Sequence, residues 1–167
     1  MVEDHAHEID LDDAPSFESA EHRFTRVGWA LLSLFVLAGL MGFLGAGPWS
    51  NRTTGATDDV VRVDHQRVSH YEAEDVLTIY VAEEAIDGDT LDLELTGDWL
   101  RGTDLSAVFP EPDAQRIVPG GALFEFAVER PGDVEIVLSF RPQKLGDLEL
   151  TAAAGGSSVT VDQFILP

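Results

Sequence analysis

The sequence predicts an all-β domain, an antiparallel sandwich of seven or eight strands in an immunoglobulin-like arrangement, set behind one N-terminal transmembrane helix. Three observations predict it. Val27 to Trp49 runs for 23 residues without a charge. From residue 58 onward, apolar residues repeatedly alternate with polar and acidic ones at a period of two, the spacing of a strand with one buried face. Turn signals built on glycine and proline separate those runs about every ten residues.

The first element is an acidic tail over residues 1–26, with eight Asp or Glu and two arginines. Low periodicity and high charge through Pro15 predict disorder. Ser16 then offers a helix cap, and Phe17, Ala20, Phe24 and Val27 share one helical face. His5 and His7 beside Glu8 offer at most a loose metal contact, and a solvated tail is the plainer reading.

Residues 27–49 form the second element. About 20 apolar residues span a bilayer core, and Trp29 and Trp49, 20 positions apart, are roughly 30 Å apart on a helix. Tryptophan favours the headgroup level, so the two mark both interfaces. Gly47-Pro48 ends the helix. A buried core helix and a cleaved signal peptide are the alternatives. The first is disfavoured by the lack of a polar face, the second by the length of the run and its acidic leader. Arg23 and Arg26 flank the run on one side and Arg52 on the other. The basic bias places the N-terminus in the cytoplasm and the C-terminal part outside, at the cell membrane as a single-pass signal-anchor protein. Ala38, Gly42 and Ala46 fall on one stripe, where small side chains let a second helix approach in lipid. The expected partners are therefore the lipid bilayer and another membrane protein, or a second copy, through this helix.

Residues 50–57 read as a polar linker. Residues 58–167 are long enough for one core. Leu91, Leu93 and Leu95 alternate with polar residues, as do Phe124, Phe126 and Val128; Val134, Ile136, Leu138 and Phe140; and Leu148, Leu150 and Ala152. Val60–Val68, Val76–Ala82, Ser106–Phe109 and Ser158–Ile165 are less regular strands. Asp87-Gly88, Pro119-Gly120-Gly121, Pro131-Gly132, Leu145-Gly146 and Gly155-Gly156 supply turns. A small barrel or jelly roll is the alternative architecture.

Composition excludes several functions. The chain has 31 Asp or Glu against 10 Lys or Arg, a net charge of -21, which opposes nucleic-acid binding and electrostatic docking on anionic lipid. The absence of cysteine removes disulfides, thiol catalysis and thiolate metal or cluster ligation. With one lysine and nine arginines, the acidic surface suits concentrated salt, where self-repulsion is screened.

No catalytic constellation emerges, and neither a cofactor nor a metal is expected. His65 and His70 are the only histidines after the apolar run, and five residues apart on a strand they face opposite ways. No G-x-S-x-G element presents a serine. Asp87-Gly88-Asp89 with Asp92 has oxygen ligands suited to calcium, but Asp-Gly is also an ordinary hairpin turn. Asn51-Arg52-Thr53 is a glycosylation sequon. Leu95–Leu105 and Phe109–Pro119 break the strand rhythm. Trp99 beside Arg101 is a candidate contact site if exposed, and a core plug if not. Phe109-Pro110-Glu111-Pro112 reads as a rigid loop or an extended edge.

The run Glu21-His22-Arg23-Phe24-Thr25-Arg26-Val27-Gly28-Trp29-Ala30-Leu31-Leu32, with Gly45, Gly47-Pro48 and Ser50, resembles uncharacterised bacterial single-pass membrane proteins encoded near YetF-like multi-pass membrane proteins. Arg62-Val63 with Arg67, Leu77 with Ile79, and the closing Val161, Gln163-Phe164-Ile165 and Pro167 carry the same likeness. The resemblance implies an accessory partner role. The expected function is thus a membrane-anchored, non-catalytic β-sandwich that acts as an accessory or interaction module. The alternative is an exterior sensor or adhesion module that binds an envelope ligand.

Overall fold

The computed structural model describes residues 15–41, 50–130 and 132–167, and side chains from residue 24 onward. Two compact units emerge, one over Met1–Ala38 and one over Gly39–Pro167.

α1 (Pro15–Leu40), all but its last two residues in the first unit, is one continuous helix. It opens on Pro15, whose fixed φ and missing N–H suit a first helical position. The Ser16 helix and the start of the apolar run are therefore one element. Val27, Trp29, Leu31, Leu32 and Leu34 to Leu37 are all more than half exposed. Among the described residues no helix is long and apolar enough to cross a membrane. Residues 42–49, the rest of the expected span, lie outside the described residues, and with them Gly42, Ala46 and Trp49.

The second unit is a two-sheet β-sandwich. Its strands are β1 (Asn51–Thr54), β2 (Val61–Gln66), β3 (Val68–His70), β4 (Asp75–Val81), β5 (Thr90–Thr96), β6 (Thr103–Phe109), β7 (Ala114–Val118), β8 (Gly121–Ala127), β9 (Val134–Pro142), β10 (Gly146–Ala154) and β11 (Ser157–Leu166). A single helical turn, α2 (Trp99–Gly102), follows β5. One sheet runs β1-β2-β4-β9-β6 and the other β3-β11-β10-β5-β8-β7. Alternation decides which residues face inward. In β4 Asp75, Leu77, Ile79 and Val81 are buried, and in β5 Leu91, Leu93 and Leu95. The inward residues of both sheets join one apolar cluster with Trp99, Phe124, Phe126 and Phe140. Full burial of such a side chain contributes about 1.5–3 kcal/mol.

The sandwich prediction holds, but eleven described strands replace the expected immunoglobulin-like seven or eight. Three differences account for this. The expected linker at 50–57 holds β1, which pairs with β2 from Asn51↔Gln66 to Thr54↔Val63. The rigid loop expected over Phe109–Pro119 holds β7, an edge strand paired to β8. The single strand expected over Val60–Val68 breaks at Arg67 into β2 and β3, in different sheets. There the Arg67 N–H donates to the Ser50 carbonyl at 2.7 Å, and the Arg67 carbonyl accepts from the Phe164 N–H at 2.8 Å. Each half of one residue is thereby tied to a different partner strand region. Beyond it, β3 runs parallel to β11, so the sandwich is not purely antiparallel.

Candidate functional site

The polar residues of this core do not follow the alternation rule, and they converge. Asp75 is the first inward position of β4 and Gln163 an inward position of β11, each in a row that is otherwise apolar. Trp99 arrives from α2, whose approach depends on Gly97: at φ +120° this residue passes so close to Glu149 that a Cβ would meet its carbonyl oxygen. The Trp99 ring packs edge-on against Phe140 with centroids 4.6 Å apart. Its indole N–H donates to Gln163 Oε1 at 3.1 Å, and Gln163 Nε2 donates to Asp75 Oδ2 at 2.9 Å. Asp75 Oδ1 accepts from the Val76 N–H at 2.8 Å, and the Ser69 hydroxyl also serves this carboxylate.

This chain links both sheets and α2, and all four side chains are buried. Burial pushes the Asp75 carboxyl above its ordinary 3.8, while the donors from Ser69, Val76 and Gln163 and the nearby His65 oppose the shift. A buried polar group satisfied in this way fixes geometry, because a wrong register leaves donors and acceptors unpaired.

His65, inward on β2, is 5% exposed, and its Nδ1 has no hydrogen-bond partner among the described residues. Burial holds the imidazole below its ordinary 6.5, and Arg52 adds to that; the backbones of Val63 and Asp162 and the Asp64 carboxylate act the other way. Arg52 is its direct cross-strand neighbour on β1. Two open clefts adjoin this pair. One, of about 310 Å³, lies over Asn51, Thr53, Asp64 and Thr78. The other, of about 360 Å³, opens between β1 and β11 beside Arg67, Asp147 and Asp162.

The sequence-predicted residues distribute differently. Trp99, a candidate contact if exposed, is 1% exposed and is the core plug instead. Arg101 alone of that pair is exposed, at the end of α2. Next to it, Asp98 accepts from the Glu149 N–H at 2.8 Å, which holds its carboxyl below the usual range, with Lys144 and Arg101 contributing. Arg26 and Trp29 are exposed on α1 and Ala38 is half-buried; Arg23 lies on α1, its side chain outside the described residues. Asp87 and Thr90 exchange backbone hydrogen bonds across Gly88 at φ +69°, which makes Asp-Gly a tight turn. Among the described residues no group of three or more His, Asp or Glu could hold a metal ion. Asn51, of the sequon, is exposed on β1. The residues that sequence reasoning missed are Ser69, Asp75, Gln163 and the Arg52–His65 pair. Asp75 and Gln163 did carry a signal, since each is a polar residue on the buried parity of its strand.

No protein-family model matches the chain, and no curated protein matches it in sequence. Among solved structures it is similar to a cohesin module from a Clostridium perfringens family 33 glycoside hydrolase, at 11% identity and a TM-score of 0.43, over 70% of this chain and 96% of that one. It is also similar to domains 4 and 5 of the S-layer protein SbsC, at 11% identity and a TM-score of 0.40, over 70% of this chain and 54% of that one.

Proposed function

We propose that the protein is a membrane-anchored, non-catalytic β-sandwich whose exterior head serves as an accessory or interaction module for another membrane protein. The observation that carries the anchor is the surface of α1. From Val27 to Leu37 its aliphatic and aromatic side chains are exposed on every side, and a helix apolar all round is suited to lipid or to burial rather than to water. Arg26 at the start of that stretch, with Arg23 beside it in sequence, favours a cytoplasmic N-terminus.

The interaction role rests on β7. Ile117 pairs with Ala122, which is buried in the inward row of β8, yet Ile117 is 93% exposed. It is an inward-facing apolar residue on an edge strand, a place where a partner strand adds readily. Phe109, 73% exposed at the end of β6, supplies a second apolar site on the edge of the other sheet.

The test is crosslinking in native membranes followed by purification in mild detergent. A specific membrane-protein partner should co-purify, and Ile117→Lys should reduce its yield while the monomer stays folded. Recovery of free monomer alone would overturn the interaction role, and recovery in the soluble fraction would overturn the anchor.

A further inference from the structure

The cleft beside Arg67 holds charge of both signs that the fold leaves unused. Arg67 is the residue at which the chain passes from one sheet to the other, so the sandwich opens there between β1 and β11. Its side chain and that of Arg52 line this opening, as do Asp147 from β10 and Asp162 from β11. Among the described residues the ion pairs are Arg116–Glu125, Arg141–Glu74 and Lys144–Asp98, so no ion pair joins either arginine to either aspartate. The cleft also reaches His65, which is buried with its Nδ1 unpartnered, and Phe164, which is 43% exposed.

We propose that this cleft binds a small zwitterion of the amino-acid or dipeptide class, its carboxylate held by Arg52 and Arg67 and its ammonium by Asp147 and Asp162. A simple anion would meet the two aspartates and a net charge of -21. A simple cation would meet the two arginines. A molecule carrying both groups satisfies the two sets together, through charge-assisted hydrogen bonds. Phe164, half exposed beside the charged groups, supplies an apolar wall for a side chain. The volume, about 360 Å³, lies at the lower end of small-molecule sites, which run to about 1,000 Å³.

Calorimetric titration of the full-length protein in detergent with the dipeptide Ala-Leu tests this. Saturable binding is expected. N-acetyl-Ala-Leu and Ala-Leu amide should each bind about tenfold more weakly or worse, since each lacks one charge. Arg52→Gln and Arg67→Gln should weaken Ala-Leu by a similar factor. Both side chains are exposed, so circular dichroism should show an unchanged fold. Absence of saturable binding at low-millimolar Ala-Leu would overturn the proposal, as would equal binding of the capped peptides or indifference to both substitutions.

Discussion

The indole N–H of Trp99 donates to Gln163 Oε1 at 3.1 Å, and the same amide donates onward to Asp75 Oδ2 at 2.9 Å. A tryptophan on one helical turn is thus connected through β11 to a carboxylate on β4, in the opposite sheet. Gln163 cannot turn over without opposing a donor to the indole and an acceptor to Asp75, so its orientation is fixed by its two neighbours.

Removing the indole donor breaks that chain while keeping most of the packing. Trp99→Phe should lower stability by about 1–3 kcal/mol, because it leaves Gln163 Oε1 buried and unsatisfied. Trp99→Ala should cost about 3–5 kcal/mol, since the ring against Phe140 is lost as well. Denaturant melts of the β-sandwich measure both. A Trp99→Phe variant as stable as the parent would show that the hydrogen bond contributes nothing.

Two buried groups give stability opposite slopes against pH. The folded His65 imidazole refuses a proton that the unfolded chain accepts below its ordinary 6.5. In the window just under 6.5 the unfolded state binds more protons, and stability therefore rises with pH. Asp75 runs the other way: its folded pKa lies above the ordinary 3.8, so over the window just above 3.8 the folded state binds more protons and stability falls as pH rises. The His65 contribution should thus be lost as pH falls below its ordinary 6.5, and His65→Gln should flatten the pH profile there. A decline of unchanged slope in the variant would assign it to other groups.

Much of the sandwich was legible from alternation, and the exceptions have physical causes. Leu91–Leu95, Phe124–Phe126, Ile136–Phe140 and Leu148–Ala152 place their apolar rows inward as the period requires. β1 escaped because NRTT is an edge strand with no buried face, held by the backbone ladder to β2 rather than by side chains. β7 escaped for the same reason: its row is exposed, including an isoleucine. The break at Arg67 leaves Val61–Gln66 and Val68–His70 in register with different partners, and long-range pairing of that kind has no local signature. The polar chain was half legible. Asp75 and Gln163 sat on the buried parity, but only the three-dimensional arrangement brings Trp99 to the far side of Gln163 from Asp75.

Gly121 opens β8 directly beside Leu95, and a Cβ there would run into the Leu95 carbonyl oxygen. The obstruction is backbone on a paired strand, with Thr96↔Gly121 in register, so it cannot swing aside. Gly121→Ala should therefore destabilise by about 1–3 kcal/mol or more, as overpacking does. Gly120→Ala is a useful contrast, since nothing obstructs its Cβ and only its φ of +82° opposes the change. Thermal melts should rank Gly121→Ala as the worse of the two; the reverse order would mean that strain at the turn, not the close approach, governs this hairpin.

Like charges also stand side by side on the outer faces. Asp92 is paired with Glu125, and Glu149 with Asp162, as direct cross-strand neighbours. Arg116 neutralises Glu125 at 2.7 Å, but no ion pair among the described residues reaches Glu149 or Asp162, and both are exposed. Like charges directly opposite destabilise a sheet, and replacing one by its opposite gains about 0.2–1 kcal/mol. Glu149→Lys should raise the melting temperature at low salt. Added NaCl should stabilise the parent chain, because the screening length falls from about 10 Å at 0.1 M to about 3 Å at 1 M. The advantage of Glu149→Lys should shrink over the same range, since screening weakens the repulsion it removes. A melting temperature indifferent to salt, with an equally salt-indifferent variant, would show that this surface repulsion does not limit stability.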